Sequence, residues 1–179
     1  MAELSPMMRQ YLDIKAENED SILFFRVGDF YEMFFEDAKT ASEELDLVLT
    51  GKDCGLEKRA PMCGVPYHSC EAYIARLVAK GHKVAVCEQM EPPSAGKSLV
   101  KRDIVRIITP GTVIEDTMLD EGVNNYLSAI CVAGDEVGIC FTDASTGECY
   151  AASLPADNPQ QHITNELCRF RPKELLVES

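Results

Sequence analysis

The sequence predicts an α/β chain: a mixed β-sheet with surrounding helices, followed by a second, smaller α/β unit. Three observations carry that reading. Ile22–Val27 is an apolar, β-prone run broken only by Arg26, the pattern of a buried strand. From Phe30 the period becomes helical, with Phe30, Phe34, Ala38, Ala41 and Leu45 on one face. Beyond Asn125, three short β-prone runs are separated by turn signals and followed by a helical stretch. With 179 residues, 46% of them hydrophobic, the chain can hold one large or two small domains with a real core.

The elements follow in order. Ser5-Pro6 reads as a cap and first helical residue, opening an amphipathic helix through Met7, Met8, Tyr11, Leu12 and Ala16. Strand Ile22–Val27 ends at Gly28, where the chain turns, and Asp29 caps a helix predicted over Phe30–Asp46. Leu47–Thr50 reads as a short strand and Gly51–Arg59 as a polar loop. Pro61–Pro66 is too rich in proline and glycine for regular structure. Ser69 caps a helix to Lys80, closed by Gly81. His82 is then a helix-end cation or a surface residue. Lys83–Met90 and Lys101–Ile108 read as strands, Thr109–Thr112 as a turn, and Val113–Asn124 as an acidic connection. Strands follow at Tyr126–Ala133, Glu136–Asp143 and Glu148–Leu154, with turns at Gly134-Asp135 and Ser145–Gly147. A helix over Asn158–Phe170 and a strand from Leu175 end the chain. The expected division is 1–112, a linker at 113–124, and 125–179.

Composition removes several function classes. No apolar run reaches membrane-spanning length, and the first residues lack the basic start and apolar run of a signal peptide. The eight cysteines contain no Cys-x-x-Cys pair, and Cys87, Cys131 and Cys140 lie inside predicted strands. Reduced thiols in a cytoplasmic protein fit that placement better than disulfides or zinc. The net charge of −13 opposes nucleic-acid binding. Between Lys52 and Arg106, however, ten basic residues stand against six acidic ones. That balance permits a DNA surface, with weak binding by this chain alone.

Glu91–Ser98 imitates a phosphate-binding loop. Gly96, Lys97 and Ser98 fit the pattern, but Glu91 replaces the first glycine, and Pro92 and Pro93 remove two N–H donors. No nucleotide site is expected here, and no cofactor or metal.

At Phe30-Tyr31-Glu32 the residue types alone suggest structural roles. Asp29 and Glu32 have capping-box spacing, and Phe30 would open the buried stripe. However, Gly28–Phe34 resembles the mismatch-recognition motif of the MutS family of bacterial DNA mismatch repair proteins. Pro6–Tyr11, Pro61–His68 and Val105–Thr112 resemble the same family in the same order, and the similarity weakens after Asn125. The resemblance implies that Phe30 stacks on a mispaired or unpaired base from the minor groove, with Glu32 hydrogen-bonding to it. It implies a backbone contact for Lys52. Met62 either stands beside the wedge as a fixed apolar contact or covers the sheet. The family further implies mispaired duplex DNA as ligand, a homodimer, and a MutL-type partner. It implies ATP and magnesium only in an ATPase region outside this chain, which is itself not expected to be an enzyme. The last three strands, helix and strand resemble the start of an RNase H-like fold, the family's connector domain.

A rival reading follows from that fold. RNase H-like enzymes hold metal with several carboxylates, and Asp143 is a candidate ligand for a metal-dependent nuclease. Asp135, Glu136 and Glu148 read as turn or solvent-face residues instead.

Overall fold

The computed structural model describes residues 3–91, 99–134, 136–155 and 157–178. The chain divides into two compact units, 1–108 and 109–179. In the first, helix α1 (Pro6–Ala16) starts as its sequence indicates: Pro6 is the first helical residue, and Ser5 Oγ accepts a bond from the Met8 N–H at 3.4 Å. Strand β1 (Ser21–Val27) follows.

The chain then departs from the sequence reading. Gly28-Asp29 is a two-residue hairpin loop, with Gly28 at φ 59°, and Phe30–Phe34 is strand β2 rather than the first turn of a helix. Tyr31 and Met33 are buried while Phe30 is exposed and Glu32 half-buried, a period of two. Helix α2 (Phe35–Leu45) begins five residues later than predicted. Glu32 is therefore not a capping residue.

Three further corrections concern the neighbouring hairpin and the helix after it. Strand β3 is Thr50–Lys52, so the strand expected at Leu47–Thr50 is displaced toward the loop. Ala60–Pro66, expected to be irregular, is strand β4. Its prolines are tolerated because Pro61 and Pro66 stand near the ends of the strand. Helix α3 (Cys70–Ala79) follows a short 3-10 turn, and Ser69 makes no side-chain capping bond. Gly81 closes α3 at φ 90°: its N–H bonds to Val78 O and that of His82 to Leu77 O, the paired bonds of a Schellman ending. Strands β5 (Lys83–Gln89) and β6 (Arg102–Ile108) complete the unit. The Gly-Lys-Ser stretch falls outside the described residues.

The six strands lie in the order β3-β4-β2-β1-β5-β6. Only β1 and β5 pair in parallel. Register fixes the faces, since paired residues point the same way. Phe25 opposes both Glu32 and Cys87, and Glu32 opposes Gly64. One face thus carries Leu23, Phe25, Phe30, Glu32 and Phe34. Helix α1 covers the Phe34 end of it, where Met8 and Tyr11 join Leu23, Phe25 and Phe34 in a buried cluster. On the opposite face Met33 opposes Cys63, whose Sγ contacts Ala38 O of α2 at 3.4 Å. Burying these side chains stabilises the unit by about 1.5–3 kcal/mol each.

The second unit opens with the Thr109–Thr112 turn and a 3-10 turn at Asp116–Met118. Strands β7 (Tyr126–Ala133), β8 (Glu136–Asp143) and β9 (Glu148–Leu154) match their predicted spans and pair antiparallel. Asp135 in the first turn lies outside the described residues. Helix α4 (Pro159–Phe170) follows. Strand β10 (Glu174–Val177) pairs in parallel with β7, giving the order β10-β7-β8-β9. One face of this sheet packs on α4, with the Phe170 ring stacked 4.1 Å from that of Phe141.

Candidate nucleic-acid interface

The β1–β2 hairpin presents the residues singled out by the sequence. In a strand, residues two apart share a face, so Phe30 and Glu32 project from the same side of β2. In the expected helix they would have diverged. Phe30 directly follows the loop and is flanked across the strands by Val27 and Pro66. It is 48% exposed, whereas Phe24, Phe25 and Phe34 are at 0%.

Lys52 and Met62 lie on the same face. Lys52 opposes Ala60, and Met62 lies between Thr50 and Phe34. Lys52 Nζ forms an ion pair with Glu32 Oε2 and sits 5.8 Å from the Phe34 ring centroid. Gly64, level with Glu32, places no side chain in the way. Met62 is half-buried against the α1 cluster, the packing expected of a residue that covers the sheet.

Behind the hairpin, on the opposite face, stands a cluster that the sequence analysis did not assign. Arg26 Nε donates to Gly28 O at 2.5 Å, its Nη1 lies 3.3 Å from Glu88 Oε1, and its guanidinium stacks 3.8 Å from the Tyr67 ring centroid. Tyr31 Oη also donates to Glu88. Burial, then the Glu88 carboxylate, pushes the Tyr31 hydroxyl well above its ordinary pKa and keeps it a donor. The available signal was Arg26 itself, the lone charge in an apolar strand.

The basic residues of Lys52–Arg106 are largely engaged within the unit. Arg76 pairs with Asp46, Lys80 with Glu44, Lys83 with Asp20, and Arg106 with Glu71. Arg102 is buried over the Phe25 ring. Among the described residues, Lys58 and Arg59 in the β3–β4 loop are exposed without an ion pair. His82 lies 3.4 Å from Glu44, a surface position at the helix end.

The carboxylates of Asp143 and Glu148 are engaged in hydrogen bonds within the second unit. Asp143 is fully buried, and its carboxylate accepts bonds from the N–H groups of Asn125, Ser145 and Thr146 and from Ser145 Oγ. Glu148 accepts from Tyr126 Oη and Asn124 Nδ2. Among the described residues no three His, Cys, Asp or Glu side chains form a metal-holding group. The eight cysteines are free thiols. Burial pushes Cys63 up to about 11 and Cys87 up to about 12, so both remain protonated small hydrophobes.

Residues 5–117 match the model of MutS domain I, and residues 125–179 that of MutS domain II. The chain belongs to the MutS family. It is 57% identical to the DNA mismatch repair protein MutS of Clostridium tetani, over 98% of the chain and 20% of that relative. The MutS proteins of Acetivibrio thermocellus and Ruminiclostridium cellulolyticum are 55% and 53% identical, over 99% and 100% of the chain and 20% of each relative. The chain thus spans about one fifth of the length of these MutS relatives. No helix among the described residues is long and apolar enough to cross a membrane.

Proposed function

We propose that this chain is the base-sensing part of a mismatch repair protein, binding mispaired or unpaired bases in duplex DNA through the minor groove. The observation that carries the reading is Phe30: a large aromatic left half-exposed at the tip of a hairpin, in a unit whose other β1 and β2 phenylalanines are fully buried.

Inserting an apolar side chain between base steps costs a few kcal/mol per unstacked step. A mispaired step is already poorly stacked and deforms at lower cost, so deformability is read as energy. Phe30 stacking then returns about 1–3 kcal/mol. Glu32 supplies a second check, because a carboxylate near phosphates is unfavourable unless it meets a donor or takes up a proton. A base displaced from pairing offers such a donor. In the free chain Lys52 fills that place. DNA phosphate offers Lys52 an alternative partner, leaving Glu32 for the base.

The ligand is mispaired double-stranded DNA. Homodimerisation, a MutL-type partner, and ATP with magnesium belong to the full-length protein, in the cytoplasm. The chain itself neither binds nor hydrolyses ATP and is not an enzyme; saturable ATP binding abolished by Lys97→Ala would contradict the first point. The deciding experiment is Phe30→Ala in a full-length family member carrying this chain. Mispaired-DNA affinity should fall roughly tenfold to more than a hundredfold, with paired-DNA affinity and melting temperature little changed. Early melting with discrimination intact would mean that the wedge has been misassigned.

A further inference from the structure

We infer that Arg26 is a positioning residue for base recognition: it locks the Gly28-Asp29 loop so that Phe30 is presented in one fixed orientation. The inference rests on the reading of Phe30 as the inserting side chain.

Both carbonyls of the two-residue loop are held. Gly28 O accepts from Arg26 Nε at 2.5 Å, and Asp29 O accepts from the Tyr67 N–H at 3.0 Å. The two holders grip one another, because the Arg26 guanidinium lies 3.8 Å from the Tyr67 ring centroid. Glu88 fixes Arg26 through Nη1 and is itself fixed by Tyr31 Oη. The Arg26 carbonyl in turn accepts from Arg102 Nε at 2.7 Å. The loop is thus tied to β5 and β6 on one side and to the start of the 3-10 turn on the other.

Phe30 has no comparable restraint of its own. Its ring makes no stacking or edge contact with another aromatic among the described residues, and half of it faces solvent. Its aim is therefore set by the backbone that precedes it. A side chain aligned before binding loses less entropy on insertion than one that must be ordered.

The energetics favour this role over simple packing. Arg26 is 16% exposed at its side chain, and an ion pair taken this far out of water gains little stability over an aliphatic pair of similar volume. An aliphatic residue would cover the Tyr31 ring, 5.5 Å from the guanidinium, equally well. It would not bond to Gly28 O or stack on Tyr67.

The test uses a full-length family member carrying this chain, with anisotropy binding curves for a paired duplex and one containing an unpaired base. Arg26→Ala should weaken binding to the unpaired-base duplex about three- to tenfold, the cost of ordering one mobile side chain, and leave paired-DNA binding little changed. Arg26→Lys keeps the charge beside Glu88 but loses the planar stack and the Nε bond. It should behave like the alanine variant, and it replaces that variant should alanine fail to fold. Adding Arg26→Ala to Phe30→Ala should cause no further loss, because Arg26 acts through Phe30. Amide exchange at Tyr67 should accelerate in both Arg26 variants. Folded Arg26 variants with undiminished mismatch affinity would overturn the inference. So would an additive double variant, or equal loss on paired DNA, either of which would place Arg26 against DNA directly. If Phe30→Ala itself leaves discrimination intact, the base-recognition reading fails instead.

Discussion

Lys52 Nζ bonds directly to Glu32 Oε2, so the two charged residues for which the family resemblance implies DNA contacts hold each other. They come from strands on either side of β4, and Lys52 reaches diagonally past the Phe34 ring. Side-chain exposures of 28% and 14% make the pair partly desolvated. Loss of either member therefore leaves a partly desolvated charge without its partner.

The pairing sharpens the expectation for Glu32→Gln. Removing the carboxylate frees Lys52 for phosphate and deletes an anion that paired DNA cannot satisfy. An amide still accepts and donates hydrogen bonds. Glu32→Gln should thus tighten binding to paired DNA more than to mispaired DNA. Lys52→Ala should weaken both, flatten the salt dependence by about one counterion, and be partly rescued by Glu32→Gln. Binding curves for the four-member cycle measure this; strictly additive effects would show that the pair does not operate on DNA.

Phe34 is the stability control. It is fully buried and makes edge-on contact with Tyr11 at 4.9 Å between centroids. Phe34→Ala should lower stability by about 3–5 kcal/mol, read as an early thermal melt, whereas Phe30→Ala should not. Comparable melts for the two variants would contradict the assignment of one as core and the other as surface.

Much of this architecture is written in local pattern. The first helix, β1, β5, β6 and the β7–β9 meander were legible because period, turns and caps agree there. The β1–β2 hairpin was not. Phe30, Phe34, Ala38 and Ala41 satisfy a helical period across a boundary, while the buried alternation of Tyr31 and Met33 covers only five residues. The signal for a hairpin was the Gly28-Asp29 dipeptide between two apolar runs. The corner into α2 falls at Phe35, at φ 54°, where no glycine announces it. Strand β4 was hidden by prolines that the ladder tolerates near its ends.

Of the site, Phe30, Glu32 and Lys52 were named from the resemblance alone, and their shared face required the strand register. The ion pair between Glu32 and Lys52 spans three strands of the sheet and leaves no spacing signature. The Arg26–Glu88 pair, 62 residues apart, is equally silent in sequence.

Gly111 leaves little room for a side chain. A Cβ there would stand 2.9 Å from Glu174 Cβ and 3.1 Å from Leu127 Cβ. Its N–H donates to Glu174 Oε2 at 2.9 Å, which Thr109 Oγ1 also contacts. Gly111→Ala should destabilise the second unit by about 1–3 kcal/mol, seen as faster amide exchange in β10 and β7. Unchanged exchange there would mean that the turn relaxes freely.

Asp143 sets a pH dependence in the second unit. Burial alone would raise its carboxyl pKa, but the hydrogen bonds from Ser145, Asn125 and Thr146 outweigh that effect and hold it below the ordinary 3.8. A carboxyl depressed by folding stabilises the fold above its unfolded value. That contribution is lost as pH falls through the folded value. Stability from Asp143 should therefore be complete at neutral pH and decline below about pH 3.8. Asp143→Asn keeps the size but replaces one accepting oxygen with a donor, which then faces either the Asn125 N–H or the N–H groups of Ser145 and Thr146. At pH 7 it should cost about 1–3 kcal/mol. Denaturant titrations of both proteins from pH 7 to pH 3 should show the gap narrowing as Asp143 takes up its proton in the unfolded chain before it does so in the folded one. A gap that stays constant across that range would place the effect in packing rather than in the charge.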